Sequence, residues 1–193
     1  MQDDLKVSMQ CSEVVKKANK ILGMIKRTFT SRSKEIILRL YKFLVRPHLD
    51  YCAQAWRPHL QKEINMLEKV QRRATRMIEG LGKMSYEDRL QELNLTTLET
   101  RRVRGDLLEM FKIIKGLDRI DYADFITFSS SELRGHSCKL FKPTVLTNFG
   151  KFSFLFRVIE EWNMLTQEIV SCNTVMQFKS KLDHYLRFCR GFM

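Results

Sequence analysis

Lys69, Arg72, Arg73 and Arg76 follow one another at intervals of three, one and three. On a helix they share one polar edge. The planar fork of an arginine donates two parallel hydrogen bonds that match a phosphate. The chemistry on offer is contact with a polyanion backbone, which positions a nucleic acid without reading its sequence. A second store of cations lies upstream. Residues 16–46 hold ten Lys/Arg and one acid, Glu35, and the candidate phosphate contacts there are Lys16, Lys17, Lys20, Lys26, Arg27, Arg32 and Lys34. A stretch this basic favours polyanions. The plainer alternative for both groups is a solvated helix face. A membrane-surface helix over residues 16–29 ranks third, because its apolar face is modest and lacks tryptophan.

Other chemistry is thin. Two-metal nucleotidyl transfer needs carboxylates close together, and the nearest string, Tyr122-Ala123-Asp124-Phe125, has phenylalanine where the second aspartate must stand. A loop or short helix packing Tyr122 and Phe125 explains it better. His136-x-Cys138 is a single pair, whereas zinc sites supply two. His48, His59 and His184 are isolated, and no nucleophile comes with a base and an orienting group. Gly80-Leu81-Gly82-Lys83 is too short for a phosphate loop and follows a helix rather than a strand. The aromatics from Phe141 to Trp162 could stack single-stranded bases, but no ladder of cations interleaves them, so a buried small core is the better reading. Trp56 and Trp162 read as core anchors.

These residues need elements to hold them. The 193 residues suit one moderate domain or two small ones, and a 44% hydrophobic content excludes wholesale disorder. Val14, Ala18, Ile21 and Ile25 mark a helix from about Ser12 to Arg27. Ser33 can cap a second, through Ile36, Ile37, Leu40, Tyr41 and Leu44, which Pro47 either kinks or follows with a new helix. Arg46, before proline, is biased away from the α region. Leu60 to Glu79 is the clearest helix, with Ile64, Leu67, Val70 and Ala74 as its buried stripe and Gly80 as its stop. Ser85 with Asp88 opens a short helix, and Thr96-x-x-Glu99 reads as a capping box before a long one stopped by Gly116. The segment 129–132 is a surface loop. From Cys138 to Phe156 the cluster of Leu140, Phe141, Val145, Phe149, Phe152, Phe154 and Phe156 predicts a β-hairpin or a pair of short strands. A helix through Trp162 and another capped by Thr174-x-x-Gln177 follow.

The expected fold is therefore mainly α: a helical bundle over 1–116, a linker or loop region over 117–137, and a small α+β segment over 138–193. The net charge of +12 is uneven, with 24 Lys/Arg against 14 Asp/Glu in residues 1–116 and 10 against 8 after them. Five widely spaced cysteines, no secretory leader and no long apolar run point to an intracellular protein, nuclear or cytoplasmic and not secreted.

Several blocks carry a resemblance. Leu22-Gly23-Met24-Ile25-Lys26-Arg27, Arg39-Leu40-Tyr41, Arg46-Pro47-His48-Leu49-Asp50-Tyr51-Cys52, Ala55-Trp56 and Leu67-Glu68-Lys69-Val70-Gln71-Arg72-Arg73-Ala74-Thr75-Arg76 stand in that order. They resemble the region after the catalytic palm in reverse transcriptases of LINE-type (non-LTR) retrotransposons, nearest the jockey/chicken-repeat branch. Trp162-Asn163-x-Leu165 and Phe178-Lys179-x-x-Leu182 extend the likeness towards the C-terminus. The resemblance implies the thumb and C-terminal region of an RNA-directed DNA polymerase. On that reading the chain positions RNA template and DNA primer and is no enzyme alone. It needs no cofactor of its own, since Mg²⁺ belongs to the missing palm. The implied partners are RNA or an RNA/DNA primer–template, bound independently of sequence, and the missing palm domain; no membrane is implied. Some LINE relatives carry a Cys/His knuckle near the C-terminus, and this sequence departs from that pattern. Met1 falls inside a segment the family continues upstream, which implies truncation. Two alternatives stay open. One is a helical protein–protein interaction module, which an exposed apolar patch on the first two helices would favour. The other is a transposon remnant with no function.

Overall fold

A computed structural model describes residues 2–118, 126–129, 135–144, 150 and 152–189. Their architecture is mainly α, as expected. The chain divides into two compact units, the first running to Arg102 and the second from Val103 onward. The division falls inside one helix; the boundary expected at Gly116 marks where that helix stops, at a φ of +63° that glycine tolerates.

In the first unit α1 spans Gln2–Thr28, starting well upstream of Ser12. Then come α2 (Lys34–Leu40), a π-helical turn (Tyr41–Val45), α3 (Arg46–Asp50), α4 (Ala53–Trp56), α5 (Gln61–Arg76), α6 (Tyr86–Glu92) and α7 (Leu98–Ile114). The core gathers Cys11, Ala18, Leu22 and Ile25 of α1 against Ile37, Tyr41, Val45, Leu49, Leu67, Val70 and Ala74. Pro47 starts a new helix. Its missing N–H is harmless in the first turn of α3, and the wide turn before it absorbs the break, with Arg46 N–H reaching back five residues to Tyr41 O. Arg46 itself stays in the α region, at φ −60° and ψ −36°, against the pre-proline bias. Ser33 precedes α2 without a side-chain cap bond. Ser85 caps α6 as expected, accepting Asp88 N–H at 3.1 Å. The cap of α7 is Thr97 rather than Thr96: its hydroxyl accepts Thr100 N–H at 3.1 Å, while Leu98 N–H turns to Glu68.

The second unit packs the rest of α7 with α8 (Phe154–Asn163), α9 (Gln167–Val170) and α10 (Val175–Cys189). Phe111 and Phe178 stack with ring centroids 4.2 Å apart, and Trp162 lies 6.1 Å from Phe178. Thr174 caps α10, accepting Gln177 N–H at 3.2 Å.

The β-hairpin or pair of short strands expected over 138–156 is not found among the described residues, which contain no strand. A single antiparallel bridge joins Leu140 to Phe128, upstream of the expected span, flanked by Ser129 N–H to Lys139 O and Phe141 N–H to Thr127 O, both 2.8 Å. That pairing leaves Leu140's own N–H and C=O pointing the other way. Asn163 takes both, accepting the N–H at 2.8 Å and donating to the C=O at 2.9 Å. A side-chain amide thus fills the place of a next strand, and the ladder stops. Phe154 and Phe156 are helical, because Val158, Ile159 and Trp162 extend their spacing into a buried stripe that outweighs aromatic strand preference. Val145, Phe149, the Tyr122–Phe125 string and residues 130–132 of the expected loop lie outside the described residues.

Candidate nucleic-acid interface

α1 and α5 run parallel and side by side. Ser8 bonds Glu63 near the start of each helix, and Arg73, near the end of α5, donates to Asn19 Oδ1 of α1 at 3.2 Å. Each turns its apolar stripe inward, so the polar positions collect outside. Lys16, Lys17, Lys20, Lys26 and Arg27 of α1 are exposed, as are Lys69, Arg72, Arg73 and Arg76 of α5. The register between the helices sets Lys16 and Lys20 level with the Lys69–Arg73 turn.

The eleven candidates are not equivalent. Lys17, Lys20, Lys26, Arg27, Lys69 and Arg76 carry no ion pair among the described residues. Lys16 pairs with Glu13 at 2.8 Å, and Lys34 with Glu92 at 2.6 Å. Arg32 is half-buried and works as a brace: its Nη2 donates to Lys26 O at 2.7 Å and its own carbonyl accepts Glu79 N–H at 3.0 Å. The single edge expected for α5 splits at its centre. Arg73 leans to Asn19 on α1, while Arg72 lies over the Tyr86 ring of α6, with Cζ 4.5 Å from the centroid.

A buried polar network sets the rotation of α5. Tyr41 Oη donates to Gln71 Oε1 at 2.6 Å. Gln71 Nε2 donates to Tyr86 Oη at 2.9 Å and to Thr96 O at 3.0 Å. Tyr86 Oη in turn donates to Glu68 Oε1, and Leu98 N–H to Glu68 Oε2 at 2.9 Å. Four segments meet on these two side chains of α5, so the cations beside them face outward in one arrangement. Burial pushes the Glu68 carboxyl and both tyrosine hydroxyls above their ordinary pKa values. Burial likewise raises the Cys11 thiol to about 11, leaving it a protonated core residue.

Elsewhere His136 is buried with its Nε2 3.0 Å from Trp162 O, and burial lowers its pKa. The described residues hold no group of three or more His, Cys, Asp or Glu side chains arranged to take a metal ion. No described helix is long and apolar enough to cross a membrane.

Two features escaped the sequence. Arg89 of α6 joins the cationic side of the first unit, on a separate short helix where no periodicity links it to α5. The second is apolar: α2 and the turns after it expose Ile36, Phe43, Leu44 and Tyr51, with Phe43 76% and Tyr51 73% accessible. No family model, curated protein or solved structure matches the chain.

Proposed function

We propose that this chain binds RNA or an RNA/DNA primer–template through the sugar–phosphate backbone, as the thumb and C-terminal region of a LINE-type reverse transcriptase. The catalytic palm and its Mg²⁺ would belong to another part of the polymerase. The observation that carries the reading is the gathering of cations without ion-pair partners on two adjacent parallel helices, α1 and α5. Unpaired arginines and lysines on rigid elements suit phosphates and read no bases. The test is fluorescence anisotropy with single-stranded RNA, a hybrid duplex and a scrambled control across a salt series. If about four to six phosphates are neutralised, log K against log salt should slope at roughly −3 to −5. Replacing Arg72, Arg73 and Arg76 together by glutamine should weaken all sequences alike and flatten the slope by about two units. Weak, salt-insensitive binding by the unaltered chain would remove this reading.

The exposed apolar face of Ile36, Phe43, Leu44 and Tyr51 favours a second reading, a helical module that docks on another protein domain. That reading expects a shallow salt slope and no special effect of the triple change. Phe43→Ser would then abolish complex formation while leaving RNA binding as it was.

A further inference from the structure

We infer that Arg89, together with Arg72 and Arg76, forms a phosphate subsite that takes one internal phosphodiester of the bound strand. This rests on the nucleic-acid reading of α1 and α5 and adds a residue outside both helices. Arg89 is only 7% exposed, yet no carboxylate pairs with it among the described residues. Its Nε donates to Ser85 O at 3.3 Å and its Nη1 to Arg72 O at 3.1 Å. These two carbonyls fix the plane of the guanidinium, and Nη2 has no acceptor among the described residues. Its Cζ stands 5.5 Å from the centroid of the Tyr86 ring, the same ring on which Arg72 lies at 4.5 Å. That ring is held in turn by its hydroxyl, which belongs to the Gln71–Glu68 network. Arg76 follows Arg72 by one helical turn, on the same exposed side of α5.

Electrostatics agrees with this geometry. Burial is the first cause lowering the Arg89 pKa, and the positive charges of Arg76 and Arg72 add to it; Glu87 opposes them more weakly than Arg76 does. Two guanidiniums on one tyrosine ring, one of them buried without a carboxylate partner among the described residues, with Arg76 a turn away, leave positive charge that an anion would offset. A phosphodiester fits because it offers two non-bridging oxygens to forked donors. The two backbone anchors of Arg89 mean that its donor is placed before the ligand arrives.

The test uses the full chain and labelled single-stranded RNA, in 5′-phosphate and 5′-hydroxyl forms, across a salt series, with folding checked by circular dichroism. Arg89→Gln should weaken binding about tenfold and flatten the salt slope by about one unit, the share of one phosphate. Arg89→Lys should keep the slope but bind several-fold more weakly, since an ammonium cannot use both carbonyl anchors and the fork together. Should Arg89→Gln fail to fold, the exposed pair Arg72→Gln/Arg76→Gln carries the test. It should flatten the slope by about one unit rather than two, because both charges serve one phosphate. The 5′-phosphate and 5′-hydroxyl strands should bind equally. Unchanged affinity and slope in Arg89→Gln, a two-unit loss in the pair, or a preference for the 5′-phosphate would each overturn the subsite while leaving backbone binding standing. Salt-insensitive binding by the unaltered chain would instead overturn the reading on which the subsite rests.

Discussion

Glu68 holds a carboxylate inside the first unit on three donors: Tyr86 Oη, Leu98 N–H and, at 3.2 Å, Gln71 Nε2. Burial nevertheless dominates and lifts its pKa above the ordinary 4.5. The folded chain therefore keeps this proton to higher pH than the unfolded chain does. The contribution to stability is full below 4.5 and falls as pH rises from there through the folded pKa, beyond which it is level. Glu68→Gln should lack that decline. Urea midpoints at intervals from pH 4.5 to 7.5 would read the difference between the two proteins, and identical pH profiles would show that Glu68 is not the group responsible. Subtracting one profile from the other also removes the opposite trend from buried His136, whose lowered pKa makes stability rise with pH. The sequence carried a hint of this network. Gln71 falls one turn after Leu67 and one before Thr75, so a polar residue lies within the buried stripe and must be hydrogen-bonded there. Arg89 gave no comparable sign, because its neighbours in space come from another helix.

Among the elements, the long periodic helices were legible, including those through Trp162 and after Thr174, and the aromatic stretch from Cys138 to Phe156 was not. α1 and α5 combine a 3.6-residue apolar stripe with polar faces, so pattern and packing agree along them, although α5 ends at Arg76, short of the stop expected at Gly80. The aromatic stretch before Trp162 follows a different logic. Phenylalanine suits a strand and a buried helix face alike, and the choice is made by a contact distant in sequence, the carboxamide of Asn163 on Leu140. Trp162 adds a second tie, its indole N–H donating to Cys138 O at 2.9 Å. Adjacent residues Trp162 and Asn163 thus pin the 138–140 segment, while Leu165 enters the core. Asn163→Ala would leave the N–H and C=O of buried Leu140 unpaired. At about 1–3 kcal/mol for each unsatisfied group, with some recovery by water, the loss of stability should be about 2–4 kcal/mol. Denaturant unfolding measures the total, and hydrogen exchange at the Leu140 amide localises it. Unaltered protection of that amide would mean that another acceptor replaces Asn163.

Across the whole molecule the charge is concentrated in one compact unit. The residues up to Arg102 hold 21 Lys/Arg against 12 Asp/Glu, and those from Val103 onward hold 13 against 10. Several cations of the second unit are also occupied. Arg157 pairs with Asp106 at 2.9 Å almost out of solvent, Arg104 with Asp183, Lys142 with Glu160, and Lys181 donates to Glu168 O at 2.9 Å. Those charges hold the unit together instead of facing a ligand. A polyanion should therefore be gripped by the first unit, and equal changes of charge in the two units should not have equal effects. Lys20→Gln/Arg27→Gln removes two unpaired cations of α1 and should weaken RNA binding about five- to thirty-fold, flattening the salt slope by about one to two units. Lys179→Gln/Lys181→Gln removes the same charge from α10 and should change affinity less than twofold with the slope intact. Glutamine has nearly the helix propensity of lysine and arginine, so both double variants should fold. The comparison separates local contact from the attraction of overall charge: at moderate salt the screening length is about 10 Å, so distant charges are largely hidden. Equal loss from both pairs would mean that net charge alone holds the strand and that α1 and α5 form no defined interface.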